Sequence, residues 1–500
     1  MADDPTTVRR PPDATGESAI DGPTRPEKGS VAESAVASGT GPTRSLADRD
    51  AAHVWHPYTQ MRTRPAPIPI VRGEGVYLFT EDGRRLLDGT SSWWVNIHGH
   101  SHPVLNEALA RQAREIEHVI FANCTHRPGI ELAEQLVAVL PTGLTRVFYS
   151  DNGSTAVEVA MKMASQFWSN QGQTRRTFVT LHHAYHGDTV GAMSASDASL
   201  FTKPFESMLF RVVRAHAPYC YRCPLGLERE TCGVACLGTA ERSSRVDDTA
   251  WLATLDQQLA RHGHDVAAVL VEPMLQGAGG MIVWPSAFLA GVRRLCDEHG
   301  VLMIADEVLA GFGRTGRLFA CEHADVSPDI ICLSKAVTGG YLPLGVTATT
   351  ERVYAAFLSD DRSHTFFHGH SFTGNPLACA LAIASLQLIH ETRAIEKVAR
   401  IERWLRRGLE PLAAHPSVGD VRILGGVGIV ELVVDKTTKA AGGYLDGVGP
   451  KLTSACLDRG LLLRPLGNVV YALPPYVITE AETDWMTSQI GDAVRDVLGA

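Results

Sequence analysis

The 500-residue sequence has no apolar run of the length a membrane-spanning helix needs, and it has no excess of basic charge. Lysine and arginine number 46 against 55 aspartates and glutamates, a formal net charge of −9. That balance excludes a global attraction to nucleic acid or to an anionic membrane surface. Cysteine is sparse: ten residues, not set in the dense frame of a small secreted domain. A reducing, cytoplasmic compartment is the expectation. Arg9-Arg10 looks like the start of a twin-arginine signal, but Pro11, Pro12 and Asp13 follow where an apolar core should stand, so export is not expected. A hydrophobic fraction of 45% is that of an ordinary globular protein, and the length suits one large α/β domain with a smaller companion.

Residues 1–45 are rich in Pro, Gly, Ser, Thr and Ala without periodicity and are expected to be a disordered tail. Beyond them the chain is organised around Val301 to Gly340. Val301 to Ile304 reads as a buried strand with Asp306-Glu307 at its end, and Ile330 to Leu333 as a second one ending in Ser334-Lys335. Ligands bind at the carboxyl ends of strands in open α/β sheets. A carboxylate and an amine at two such ends suit a pyridine-aldehyde cofactor, the amine for its aldehyde and the acid for its ring nitrogen. Equally, such an aspartate can be a turn former and such a lysine a solvated charge. Gly311-Phe312-Gly313-Arg314-Thr315-Gly316 has dinucleotide-site spacing, but five residues separate it from the strand and no periodic helix follows, so that reading is rejected.

Other stretches bear on a site. The strand Arg146 to Tyr149, the turn Ser150-Asp151-Asn152-Gly153-Ser154 and a helix from Val157 to Phe167 would place an anion at a helix N-terminus; Ser154 and Thr155 also read as helix caps. Tyr185 follows the short strand Thr177 to Thr180, where a ring can stack on a planar ligand or simply pack. Val76 to Leu87 reads as a hairpin around Glu81-Asp82-Gly83, and Pro103 to His118 as a helix. His98, His100 and His102 alternate, yet no cysteine or carboxylate stands near them at ligand spacing, so a metal is not expected there. Cys220-x2-Cys223-x8-Cys232-x3-Cys236 resembles a short zinc knuckle with an unusually small gap, or a cluster of labile thiols. Arg464, after Leu461-Leu462-Leu463, is either a salt-bridge partner or the fork for a substrate carboxylate.

Together these pieces resemble the class III pyridoxal phosphate (PLP)-dependent aminotransferases, over about His53 to Val497. The resemblance rests on His56-Pro57-Tyr58, Ser91-Ser92-Trp93-Trp94, Asp151-Asn152-Gly153-Ser154, Ala184-Tyr185-His186-Gly187-Asp188, Gln276-Gly277-Ala278-Gly279-Gly280, Asp306-Glu307, Ser334-Lys335-Ala336 and Gly374-Asn375-Pro376. It implies an α/β PLP fold of type I. A large PLP-binding domain (105–370), with a mostly parallel doubly wound sheet, would join a smaller α/β domain made of 46–104 and 371–500. Lys335 would hold PLP covalently and shuttle a proton, Asp306 would pair with the ring nitrogen, and Tyr185 would flank the ring. Gly153 and Ser154 would bind the phosphate, with His370 and Ser371 arriving from the second subunit of a homodimer with shared active sites. Tyr58, Trp93, Gly369 and Arg464 would line the substrate cleft. The double tryptophan, Tyr58, Arg464 and Tyr471 point to the biotin-pathway branch, which aminates 8-amino-7-oxononanoate. Many S-adenosylmethionine-using members resemble Gly-Pro-Thr where this chain reads Gly369-His370-Ser371, which leaves that donor and lysine both open. The alternative is another class III ω-amino acid transaminase.

Overall fold

Branched apolar runs four to seven residues long, each closed by a turn residue, are too short for helices and suit a central sheet. A computed structural model describes residues 44–223, 225–227, 232, 234–238 and 254–499. Most of the tail expected to be disordered, residues 1–43, lies outside the described residues.

The central sheet has seven strands in the order Leu144–Ser150, Gly345–Thr350, Ile330–Leu333, Leu302–Asp306, Val266–Val271, Thr177–Leu181 and Val213–Ala215. Neighbours are parallel except at Gly345–Thr350, which runs antiparallel to both strands beside it. The expected mostly parallel sheet is present, with one strand reversed. The reversal has a plain cause: the Ser334–Leu344 connection holds no crossover helix that could carry the chain back for a parallel return. Val266–Val271, Leu302–Asp306 and Ile330–Leu333 are buried along their whole length. Their alternate side chains feed two cores. Ala268, Leu270 and Ile304 pack against Ala156, Val157 and Ala160 of the helix Gly153–Ser169, whereas Val269, Val271 and Met303 pack against Phe288, Leu289 and Val292 of the helix Ser286–Glu298. Both faces of the sheet are thereby covered, and only its edges and strand ends remain for a ligand.

Three further sheets lie outside the central one, the smallest pairing Leu275–Gln276 with Ile282–Val283. The expected hairpin is there as Tyr77–Thr80 and Arg85–Asp88, with Gly83 at φ +85° in its turn. Leu461–Leu462 joins it in parallel beside Arg85–Asp88, so a late segment completes an early sheet. That late strand is shorter than its apolar run, and Arg464 lies beyond it. Val418–Leu424, Val427–Leu432 and Val469–Ala472 form an antiparallel sheet. The helix expected over 103–118 ends at Glu115, because Ile116 turns extended. The described residues 44–67 belong to a unit of their own. In it the helix Leu46–His53 is capped by Ser45, and Asp50 pairs with His56 at 2.8 Å and Arg64 at 3.0 Å.

The alternating histidines have separate protein partners. His100 Nε2 lies 2.9 Å from the buried Asp88, and His98 Nε2 lies 3.0 Å from Ser385 Oγ. Burial, with repulsion from His102 and Lys397 adding to it, pushes the His98 pKa down to about 3. The unfolded ring takes up its proton near pH 6.5. The stability from keeping it neutral is therefore complete above that pH and drains as pH falls toward 3, by up to about 1.4 kcal/mol per pH unit. Urea unfolding at about pH 7 and about pH 4.5 should show the wild type's advantage over His98→Gln shrinking by about 2–3 kcal/mol. An advantage independent of pH would show that His98 is not the titrating group.

Candidate active site

Parallel neighbours bring their carboxyl ends to one edge, and here Asp306 stands in register with Cys332, three residues before Lys335. A cavity of ≈ 700 Å³ opens at this edge, lined among others by Lys335, Asp306, Tyr185, Ser154 and Trp94. Lys335 begins a short 3-10 turn and holds the left-handed region at φ +43°, a conformation that side-chain-bearing residues rarely adopt without a local reason. Ser334 Oγ donates to the Leu344 carbonyl at 2.7 Å and closes the base of the turn. The Lys335 Nζ sits 5.1 Å from the centroid of the Trp94 ring. Removal from water pushes the lysine pKa below its usual value, against the pull of Asp306 and Glu272.

Asp306 is 5% exposed. One of its oxygens lies 2.7 Å from Nδ1 of the fully buried His186, and the other accepts the Val308 N–H at 3.1 Å. Glu272, closing the strand Val266–Val271, accepts the N–H groups of Tyr185 and Gly277 at 3.0 Å each. Burial pushes its pKa up to about 7; the His186 field and these two donors oppose the rise, and nearby Asp306 adds to it. The carboxylate thus ties the loop carrying Tyr185 to the turn beginning at Gln276.

The other end of the cavity is built for an anion. The helix Gly153–Ser169 starts at Asn152, whose side chain accepts from Thr155 in a capping box. Ser154 Oγ is 2.7 Å from Thr189 Oγ1 and accepts the Thr189 N–H at 3.0 Å. A Cβ at Gly153 would stand 2.5 Å from Val308 Cγ1, so no larger residue fits at this first turn. A Cβ at Gly187, where φ is +129°, would meet Ser154 Oγ at 2.3 Å. Both glycines leave the backbone bare beside the helix N-terminus, the arrangement that a phosphate exploits.

Of the residues singled out in the sequence, Lys335, Asp306, Tyr185, Gly153 and Ser154 share the cavity wall. Trp93 does not; Trp94 does. Positive φ at Ser91, Ser92 and Trp94 kinks the stretch, so consecutive rings separate. Trp94 is buried and donates from Nε1 to the Tyr471 hydroxyl at 3.1 Å. Trp93 is 40% exposed, and the Arg464 guanidinium lies 4.1 Å from its ring centroid. Arg464 also acts electrostatically on Tyr471, which links it to Trp94. Gly369, His370 and Ser371 lie outside the cavity wall of their own chain; His370 Nδ1 is 3.3 Å from Asp151. Tyr58 belongs to the unit that ends at Pro67. Sequence reasoning missed Glu272, His186 and Thr189 as site residues. Glu272 carries the same signal as Asp306, a carboxylate closing a buried strand, and His186 adjoins Tyr185. Thr189 gives no signal before the fold is known.

The profile of the aminotransferase class-III family matches residues 58–494. The chain belongs to that family and is a PLP-dependent enzyme of amino-group transfer. It is 47% identical over 466 residues to adenosylmethionine-8-amino-7-oxononanoate aminotransferase of Nitratidesulfovibrio vulgaris, covering 92% of this chain and 82% of that one. To the enzyme of the same name from Geobacter sulfurreducens it is 44% identical, covering 91% and 99%. Among solved structures, the aminotransferase of that name from Methanocaldococcus jannaschii superposes with a TM-score of 0.82 at 36% identity, covering 91% of this chain and 99% of the other. An (S)-enantioselective omega-transaminase from Thermomicrobium roseum gives 0.83 at 32% identity, covering 91% and 98%. The residues present fit PLP: a bare helix N-terminus at one end of the cavity, a buried acid at a strand end, and an amine withdrawn from water between aromatic walls.

Proposed function

We propose that this enzyme transfers an amino group to 8-amino-7-oxononanoate, giving 7,8-diaminononanoate for biotin, with S-adenosylmethionine or lysine as donor. The likeness to the two bacterial relatives of that activity, which runs over nearly the whole chain, carries this reading. PLP, when bound, supplies an aldehyde for the amine and a ring that withdraws electrons from it. Lys335 would hold the cofactor between turnovers and move the proton, its basicity lowered by burial. Asp306, fixed by His186, would keep a positive charge on the ring nitrogen. Tyr185, fixed through its backbone by Glu272, would flank the ring, and Gly153 and Ser154 would take the phosphate. His370 and Ser371 would complete the phosphate site of a partner subunit in a cytoplasmic homodimer. Tyr58, Trp93, Gly369 and Arg464 would bind substrate, beside Trp94 and Tyr471. The same reading divides the chain into a PLP-binding domain over 105–370 and a smaller one from 46–104 and 371–500.

A long aliphatic keto acid needs apolar walls and one cation for its carboxylate, and the Arg464 guanidinium, 4.1 Å from the Trp93 ring centroid, is a planar fork of the kind that suits a carboxylate. Arg464→Ala should raise KM for the keto acid by about 10–100-fold with little change in kcat, the worth of a charge-assisted pair. An unchanged KM would put the carboxylate elsewhere. The activity itself is tested by mixing the protein with S-adenosylmethionine, lysine, ornithine or 4-aminobutyrate and following the cofactor's absorbance. Bleaching by one of the first two, reversed by 8-amino-7-oxononanoate, supports the reading; response to the ω-amines alone replaces it with the alternative class III reading.

A further inference from the structure

We propose that Cys220, Cys223, Cys232 and Cys236 bind one zinc ion, a structural site separate from the PLP cavity and independent of which amine the enzyme uses. All four line a single void of ≈ 20 Å³, with Tyr219, Leu225 and Leu227 around them. That is room for one small sphere and too little for an iron–sulfur cluster. The other six cysteines do not gather: Cys124 is exposed, and Cys296, Cys321, Cys332, Cys379 and Cys456 are buried on different helices and strands. The spacing supplies two pairs, Cys220-x2-Cys223 and Cys232-x3-Cys236. A short 3-10 turn, Cys220–Arg222 in one pair and Ala235–Leu237 in the other, accompanies each. Ligand pairs separated by two or three residues are the spacing of closed tetrahedral zinc sites.

The surroundings support an ion here. Among the described residues of this segment no helix or strand exceeds three residues, and no disulfide joins any of the ten cysteines. So small a loop needs a staple to hold a fixed shape. Zinc capture requires no oxidant or reductant: each ligating thiol releases a proton to solvent, and four thiolates leave the site with a net charge of −2. Arg222 lies within the first pair, and Lys439 approaches it, donating from Nζ to the Tyr221 carbonyl at 2.6 Å. Among the described residues no group of three or more His, Cys, Asp or Glu stands as a ready metal site, so zinc binding requires the four thiols to close on the void they line.

The fastening of this segment gives the ion a task. The Tyr219 hydroxyl donates to Glu431, and Arg222 Nε donates to the same carboxylate at 2.7 Å. Glu431 also pairs at 2.6 Å with the buried Arg422, which donates to the carbonyls of Met281 and Gly280 at 3.2 Å each. Ala278, in that same turn, lines the PLP cavity. A stapled cysteine loop would therefore brace one wall of the active site from behind.

The test is elemental analysis of the full-length enzyme, purified without chelators and without a metal affinity column. About one zinc per chain is expected, with the four thiols shielded from iodoacetamide until the metal is stripped. Cys220→Ser and Cys236→Ser should each lower bound zinc at least about tenfold, whereas Cys124→Ser should keep it. A zinc-free wild type, these thiols found as disulfides, iron with acid-labile sulfide, or zinc retained in both variants each overturns the proposal. If the variants fail to fold, metal content and thiol shielding of the wild type decide it alone.

Discussion

Lys335→Ala should abolish amino transfer, by at least about ten-thousandfold in turnover, while the protein still takes up its cofactor. The two halves of this expectation come from opposite ends of the cavity. At one end the change removes the only lysine among the described residues of the wall, and with it the group proposed to bind the aldehyde and relay the proton. At the other end Gly153, Ser154 and the helix N-terminus are untouched, so phosphate anchoring survives. The backbone cost is small, because alanine at φ +43° is no worse placed than lysine. The measurement is single-turnover kinetics together with the phosphate content of the dialysed protein. Turnover within about tenfold of wild type would remove Lys335 from the chemistry.

Asp306→Asn should cost about a thousandfold in turnover with little loss of stability. The two side chains are nearly isosteric, and an amide can still meet His186 and the Val308 N–H, so the buried contacts at 2.7 Å and 3.1 Å are largely kept. Only the negative charge goes. Without the charge proposed to hold the ring nitrogen positive, the ring should withdraw electrons poorly. A merely structural role for Asp306 would predict the reverse: a fall in the unfolding midpoint and a modest change in rate. A cofactor analogue methylated at that nitrogen, hence permanently charged, should restore part of the rate to Asp306→Asn. Failure of that rescue, with a folded variant, would show that charge at this position is not what matters.

Asp306 and Lys335 were legible in the sequence because each follows a fully buried strand, and burial on both faces writes itself as an unbroken apolar run. The same rule applied once more would have found Glu272. The exchange of Trp93 for Trp94 was not legible. Which of two adjacent rings faces inward depends on three positive φ angles at Ser91, Ser92 and Trp94, and on partners distant in sequence such as Tyr471 and Leu309. The reversed strand was hidden for a similar reason. Nothing in the composition of Gly345–Thr350, half of it threonine, marks it as reversed, and its direction depends on the shortness of the connection before it. His370 was read as a phosphate ligand, and within its own chain it stands on Asp151, outside the cavity wall. A side chain that would serve another subunit leaves no pattern in one chain.

The reversed strand also determines how the reactive amine is mounted. Ser334–Leu344 leaves the sheet at the end of Ile330–Leu333 and re-enters beside it through Gly345, so it spans like a bridge between two adjoining abutments. The span is locked at Ser334 and again at Thr338, whose hydroxyl donates to the Leu342 carbonyl at 2.5 Å. At its far footing Gly345 presses on Asn152, where a Cβ would come within 2.3 Å of the carbonyl oxygen. The amine and the helix proposed to receive the phosphate are thus moored to the same masonry. Any shifting of peripheral segments that admits one substrate after another can proceed without altering the distance between them.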